Sequence, residues 1–114
     1  MDVQPFDDAE TYEPDEGWRR VAMAGSDALS LEHFEAPPGH ASPMHGHENE
    51  QVCVCLAGEL VVETADGERA VLGPNDSVHL AGGERHRVAN ETDEPAVGLD
   101  VFAPGRDFDF WTER

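Results

Sequence analysis

Short apolar and β-branched runs, each bounded by turn residues, recur along this chain and restrict the folds that it can adopt. Eight runs have the length and composition of strands, namely Trp18–Ala24, Leu29–Glu35, Glu50–Leu56, Leu60–Thr64, Arg69–Leu72, Ser77–Leu80, His86–Asn90 and Val97–Phe102. Asp66-Gly67 and Gly73-Pro74-Asn75-Asp76 lie between neighbouring runs and predict tight turns. No apolar period of 3.6 residues persists for three turns. Many short, evenly spaced strands predict an all-β sandwich or barrel.

The length of the chain, 114 residues, suits one compact domain. Residues 1–17 are rich in Asp and Glu and show no clear period, so we expect an acidic N-terminal arm. Residues 18–114 should form the β-barrel domain with a C-terminal tail. No apolar run approaches the roughly 20 residues that cross a bilayer, and the acidic N-terminus does not resemble a signal peptide. These features favour a cytoplasmic protein.

The charge balance is strongly acidic. The chain has 25 Asp and Glu residues against seven basic residues, all Arg, which gives a net charge of -18. Because like charges repel, we do not expect nucleic acid or an anionic membrane as a partner. A disordered acidic protein would lack the Val- and Leu-rich alternation of the middle of the chain. We interpret the acidic excess as that of a salt-accumulating halophile, since screening to about 3 Å at 1 M relieves the self-repulsion.

Three histidines and one glutamine have the spacing of a metal site. His45 and His47, two residues apart, place both imidazoles on one face of an extended segment. Gln51 lies a further four residues on, an even number, and should therefore point to the same face. His86 follows a glycine turn, so a returning strand can bring it opposite the first pair. Three neutral imidazoles and one amide oxygen suit one divalent transition metal ion: iron, nickel, manganese, zinc, cobalt or copper. Each of these ions would keep positions open for water or substrate.

The residues around these four ligands resemble the two sequence motifs of the cupin family. The first motif fits residues 39–58, with glycine at both ends, H-x-H at 45–47, and Gln51 where the family usually has Glu. The second motif fits residues 75–90, in which Asn75 and Ala81 replace the usual Gly and Pro. We expect Asn75 to adopt the left-handed turn of the glycine. The resemblance covers most of the chain and implies a single-domain cupin, a double-stranded β-helix or jelly-roll barrel.

The replacement of glutamate by Gln51 affects the chemistry of the site. A glutamine cancels none of the charge of the metal, so the ion would attract an anionic group and act as a stronger Lewis acid. An alternative is a relic site that binds no metal, although all three histidines are kept. Cys53 and Cys55 should share the face of Gln51, where they either pack as small apolar residues or lie near the metal.

A second group of candidate residues follows the last strand. Asp100 and Phe102 share a face and should point into the barrel, and Arg106 lies past the Pro104-Gly105 turn. A buried carboxylate needs a partner, and Arg106 is the candidate. The pair would serve either in general acid–base chemistry or as a structural ion pair that holds the C-terminal tail.

With this tail, the chain resembles the small cupins of pectin and alginate degradation, which convert 4,5-unsaturated monouronates to the linear keto form. The resemblance implies that the metal and Arg106 hold the carboxylate and ring oxygens of a small anionic, sugar-acid-like substrate. It implies that Asp100 moves the proton that turns the enol into a ketone, and that Phe102 forms a sugar-facing wall. The predicted activity is that of a metal-dependent isomerase or lyase.

Two other functions fit the same residues. A cupin with three His ligands and redox-active iron or copper would act as a dioxygenase, and a non-catalytic barrel would bind a small anionic ligand. We also expect a homodimer, because small cupins commonly pair by sharing an edge strand and an uncovered edge is a liability. Val52, Val54 and Leu56 are apolar residues that should face outward at such a contact.

Overall fold

The computed structural model describes residues 1–112. Within them, the strands are β1 Thr11–Asp15, β2 Trp18–Ala22, β3 Ser30–Ala36, β4 Glu50–Ala57, β5 Leu60–Thr64, β6 Arg69–Leu72, β7 Ser77–Leu80, β8 His86–Ala89 and β9 Ala96–Ala103. A 3-10 turn covers Phe6–Asp8, and the short helix α1 covers Asp109–Thr112. No helix in this described part is long and apolar enough to cross a membrane.

The strands form two antiparallel sheets. One sheet has the order β1-β2-β3-β9-β4-β7, and the other has the order β6-β5-β8. Their inner faces meet in one apolar core to which both sheets contribute, made of Phe34, Ala36, Cys53, Cys55, Leu60, Val62, Leu72, Leu80 and Ala96. The prediction of an all-β, single-domain barrel is therefore confirmed.

Each of the eight predicted strands is present, with ends within two residues of those expected. The structure adds one strand, β1, inside the segment for which we expected an acidic arm. Thr11 pairs with Val21 and Tyr12 pairs with Arg20, so β1 forms the edge of the larger sheet. The side chains of β1 are exposed or half-buried in alternation, which leaves no apolar pattern to reveal the strand.

Strand β4 has the parity that the sequence predicted, but it is not an edge strand. Val52 and Val54 are half-buried on the outer face of the sheet, and Leu56 is 40% exposed. Since β4 lies between β9 and β7, the expectation that these residues pair two copies through a shared edge is wrong. The homodimer stays a prediction, and its contact surface is not assigned to β4.

The substitutions in the second motif fit the local backbone. Asn75 has a φ of 73°, in the left-handed region, and its N–H donates to the carbonyl of Cys55 at 2.7 Å. The expectation for Asn75 is thus confirmed. Asn90, at the end of the motif, is fully buried and donates its side-chain amide to the carbonyls of Ala36 and Glu94. It therefore holds the loop that leads into β9.

Candidate metal centre

The backbone brings His45 and His86 together at the mouth of the barrel. The segment before β4 runs antiparallel to β8, and His45 and His86 exchange backbone hydrogen bonds of 2.9 and 2.8 Å. His47 follows two residues later, and its ring centroid lies 5.2 Å from that of His86. One nitrogen of each ring lies within 4.8 Å of the other two. The structure therefore brings the three predicted histidine ligands to one point.

The outer hydrogen bonds of the three rings fix their tautomers. In each ring, Nδ1 contacts a backbone carbonyl: Pro43 for His45 at 2.8 Å, Asn49 for His47 at 3.0 Å and Glu84 for His86 at 2.8 Å. A carbonyl can only accept, so Nδ1 carries the proton and Nε2 keeps its lone pair. Nε2 of His86 is buried and has no hydrogen-bond partner among residues 1–112. Three lone pairs are thus available at one point for a metal ion.

Burial keeps these imidazoles in the neutral form that binds metal. It lowers the pKa of His45 from 6.5 to about 4. It also lowers the pKa of His47, where the nearby charge of Arg106 acts in the same direction, and that of His86. At neutral pH the three rings are therefore ready to coordinate without first losing a proton.

Gln51 supplies the fourth predicted donor. Its Nε2 donates to Oδ1 of Asp100 at 2.9 Å, which turns its Oε1 toward His47, 3.0 Å from Nε2 of that ring. Both facing atoms carry lone pairs, and two acceptors at this distance repel each other unless a cation lies beside them. Three imidazole nitrogens and an amide oxygen are a donor set that divalent transition ions accept, so the residues fit a metal ion.

Asp100 is buried behind Gln51, and its ion-pair partner is not the one expected. Oδ2 of Asp100 accepts from Nη2 of Arg20 at 2.6 Å, and Nε of the same guanidinium donates to Glu32 at 2.6 Å. The predicted partner Arg106 instead donates to Glu32 through Nε at 3.0 Å. The predicted Asp100–Arg106 ion pair is therefore wrong, because Arg20 reaches Asp100 from the neighbouring part of the sheet.

Arg106 lies over the aromatic side of the centre. Its guanidinium carbon is 3.7 Å from the ring centroid of Phe102 and 4.4 Å from that of Phe110. Burial lowers the pKa of Arg106, although Glu32 opposes this. Its Nη1 is buried and has no hydrogen-bond partner in the described part of the chain. The charge is therefore held in place with one donor nitrogen still to be satisfied.

Phe102 is fully buried, and its ring contacts both Arg106 and the edge of His47, whose centroid lies 5.5 Å away. In this conformation the ring packs against Arg106 and His47 and is not part of the cavity lining. Cys53 pairs with Asp100 across β4 and β9 and is also buried. Burial and the charge of Asp100 raise the pKa of its thiol, so Cys53 packs there as a protonated group.

A small cavity of about 20 Å³ lies beside the centre. Its polar lining consists of Arg20, His40, Ser42, His45, Gln51, His86, Asp100 and Arg106, and Trp18, Phe34 and Trp111 supply aromatic walls. Phe110 and Trp111, from α1, pack against His45 with ring centroids at 5.9 and 5.5 Å. The cavity has room for about one water molecule. A ligand as large as a sugar therefore does not fit this cavity in the conformation described.

Arg20 and Glu32 are the charged residues of the site that the sequence analysis missed. Both lie on the inner face of their strands, Arg20 with Trp18 and Glu32 with Phe34. Strand parity would have revealed them as buried charges that need partners. By contrast, Glu50 faces away from the barrel and pairs with His79 on the surface at 2.8 Å.

The chain matches the Cupin_2 family model, a cupin domain, over residues 32–102, and it belongs to the cupin family. A "Beta-D-galactosidase Rv1717" of Mycobacterium tuberculosis (strain ATCC 25618 / H37Rv) is 52% identical over 67 residues, which are 59% of this chain and 56% of that protein. A gentisate 1,2-dioxygenase of Ralstonia sp. is 29% identical over 94 residues, 73% of this chain and 26% of that protein. The chain thus spans little more than half of the first relative and about a quarter of the second.

The solved structure of KdgF from Halomonas sp. superimposes with a TM-score of 0.84. It is 21% identical, and the match covers 94% of this chain and 96% of that one. At this identity the likeness concerns the fold.

Proposed function

We propose that this protein is a metal-dependent cupin that converts a small anionic sugar acid, a 4,5-unsaturated monouronate, to its linear keto form. The observation that carries the proposal is the neutral donor set of the three histidines and Gln51, close to the unsatisfied Nη1 of Arg106. The ion would keep its full double charge, and Arg106, whose Nε and Nη2 bind Glu32, would offer the donor Nη1. A substrate carboxylate would bind to the ion and accept a hydrogen bond from Arg106.

The reaction is an isomerisation and needs no oxidant or reductant. The C1 hydroxyl would give its proton to a base as the bond between C1 and the ring oxygen breaks, which leaves an aldehyde at C1 and an enolate at C4 and C5. The same proton would then add to C4, and the enolate becomes a ketone at C5. A bound divalent ion would act as a Lewis acid toward substrate oxygens.

The roles of the residues follow from their positions. Arg106 would donate from Nη1 to the substrate carboxylate, because Nε and Nη2 of its guanidinium already bind Glu32. Asp100 lines the cavity, and its two oxygens accept from Gln51, Arg20 and the thiol of Cys53, which leaves one of their four lone pairs. It would accept the hydroxyl proton and return it at C4. Phe102 would hold Arg106 and His47 in place.

The two curated relatives suggest two other reactions, glycoside hydrolysis and dioxygenation, which the site supports less well than the ketonisation. Glycoside hydrolysis commonly uses two carboxyl groups about the scissile bond, whereas the described lining of this cavity contains one carboxylate, Asp100. The galactosidase relative therefore supports a sugar-like substrate more than a hydrolytic mechanism. The dioxygenase relative favours an alternative in which iron at the same ligands activates dioxygen. A barrel that binds its ligand without turnover is the non-catalytic alternative.

The test is a set of parallel assays on protein loaded in turn with cobalt, nickel, manganese, zinc or ferrous iron. With a 4,5-unsaturated galacturonate, we expect metal-dependent loss of the ultraviolet absorbance of the conjugated double bond and a keto product in the NMR spectrum. Arg106→Gln should lower turnover of this substrate, while His79→Gln, a surface histidine, serves as the matched control.

Other outcomes would identify the alternatives. Oxygen consumption with gentisate would favour the dioxygenase, and release of nitrophenol from a nitrophenyl galactoside would favour a galactosidase. Saturable binding of the uronate without any product would leave a ligand-binding protein. Each of these results, without uronate conversion, contradicts the proposal.

A further inference from the structure

We propose that Arg20 is a positioning residue for the metal centre: it orients the amide of Gln51 through the carboxylate of Asp100. The proposal rests on the metal site described above and does not depend on which substrate the protein converts. It assigns a role to a residue that lines the cavity and acts on the ligand Gln51 only through Asp100.

The need for Arg20 begins with two carboxylates that face each other. Glu32 on β3 and Asp100 on β9 are register partners, and both are buried on the inner face of the sheet. Like charges placed directly opposite on neighbouring strands are destabilising. Arg20, from β2, spans both with hydrogen bonds of 2.6 Å to each and is itself 2% exposed. One guanidinium therefore binds both acidic groups, and Arg106, which also binds Glu32, supplies the second positive charge.

The next step connects this pair to Gln51. Because Arg20 occupies Oδ2 of Asp100, the other oxygen, Oδ1, faces Nε2 of Gln51 at 2.9 Å. An amide has a donor end and an acceptor end, and a rotation of 180° about its last bond exchanges them. An ionised carboxylate only accepts, so it selects the orientation in which the amide nitrogen faces Asp100. The oxygen of Gln51 is thereby directed at the centre, where the opposite orientation would present an N–H group to a cation.

The shape of arginine is part of this role. Its guanidinium donates from Nε to Glu32 and from Nη2 to Asp100, and such a rigid fork cannot be copied by the single ammonium of lysine. Phe34 supports the guanidinium, with its ring centroid 5.0 Å from the central carbon. Arg20→Lys therefore keeps the charge that the two carboxylates require and loses the geometry that holds Asp100 in place.

The experiment is a Co²⁺ titration of wild type, Arg20→Lys, Gln51→Ala and the double variant, followed by calorimetry and by the visible spectrum of the bound ion. Loss of a group that orients a metal ligand commonly weakens metal binding about 10- to 100-fold, and we expect this of Arg20→Lys. In the Gln51→Ala background the same substitution should have almost no further effect on affinity or on the spectrum. Arg69→Lys is the matched control, since Arg69 also contacts two carboxylates, Glu63 and Glu91, but at the surface.

A second variant keeps the test decisive if Arg20→Lys does not fold. Asp100→Asn retains the shape of the side chain, and Arg20 would keep the new amide oxygen, so its nitrogen would face Gln51. The Gln51 amide should then rotate by 180°, so that its nitrogen faces the metal centre. Co²⁺ should bind to this variant at least as weakly as to Gln51→Ala.

Unchanged affinity in Arg20→Lys or in Asp100→Asn would overturn the proposal. An equal loss from Arg20→Lys in both backgrounds would also overturn it, because the effect would then not act through Gln51. A wild type that binds no Co²⁺ would remove the metal centre itself, a failure that the same titration distinguishes from the failure of Arg20 alone.

Discussion

The side-chain oxygen of Gln51 lies 3.0 Å from Nε2 of His47, and both atoms are acceptors. The amide is held in this orientation by Asp100, and the ring is held by the carbonyl of Asn49. These two hydrogen bonds thus place the lone pairs of Gln51 Oε1 and His47 Nε2 side by side. A metal ion bound by both atoms would remove this repulsion, so we expect metal binding to stabilise the fold at Gln51.

Replacement of Gln51 by glutamate should destabilise the metal-free form of the protein more than the metal-bound form. The new carboxylate would face Oδ1 of Asp100, where the amide nitrogen now donates. A buried charge without a partner costs roughly 3 kcal/mol or more, so the metal-free variant should be less stable than wild type. Added Zn²⁺ should raise its melting temperature by more than it raises that of wild type. Thermal unfolding with and without the ion checks this, and equal stability of the two metal-free proteins would contradict it.

The metal-free protein should lose stability as the pH falls from about 6.5 to about 4. Folded His45 stays neutral down to a pKa of about 4, whereas the unfolded histidine takes up its proton near 6.5. The unfolded state therefore binds more protons across this window, at a cost of about 3 kcal/mol at its acidic end. Urea unfolding of wild type and His45→Gln at several pH values measures the effect. The variant should show a smaller loss, and an identical pH dependence would argue against a buried neutral His45.

Salt should stabilise this protein. With a net charge of -18, the folded chain repels itself in dilute buffer, and the screening length falls from about 30 Å at 0.01 M to about 3 Å at 1 M. We therefore propose a halophilic protein whose free energy of unfolding rises steeply with KCl. Chemical unfolding in urea, which is uncharged, at several KCl concentrations is the measurement. Full stability in salt-free buffer would be inconsistent with this interpretation.

Gly98 should tolerate no side chain, because Phe34 occupies the space beside it. The two residues are register partners on β9 and β3, and a Cβ at Gly98 would overlap the ring of Phe34. Overpacking of this kind costs about 1–3 kcal/mol. Gly98→Ala should be destabilised by this amount and should also disturb Arg20, which rests on Phe34. Gly73→Ala, where the nearest atom is the tip of the Asp76 side chain at 3.5 Å, should be close to wild type in the same unfolding assay.

Local patterns in the sequence predicted the parts of the fold and site that depend on short spacing. The i, i+2 spacing of His45 and His47 and the parity of Gln51 placed these side chains on one face, and the turn before His86 returned the chain to them. The left-handed turn at Asn75 was expected from the resemblance to the second cupin motif, in which a glycine usually stands at this position.

Contacts between distant strands were harder to predict. Parity indicates that Asp100 faces the interior, but it does not say which of several arginines will reach it. Arg20 pairs with Asp100 because β2, β3 and β9 are adjacent in the sheet, a strand order that the sequence does not reveal. The edge strand β1 escaped prediction because its side chains are not clearly buried on either face.

The most direct test of the account is metal analysis of protein purified in high salt, compared with His86→Ala and with the surface variant His79→Gln. We predict one equivalent of a divalent transition metal, bound or taken up on titration, in wild type and in His79→Gln, and its loss in His86→Ala. A wild type that contains no metal and takes up none would contradict the account, and the fold would then stand without its metal centre.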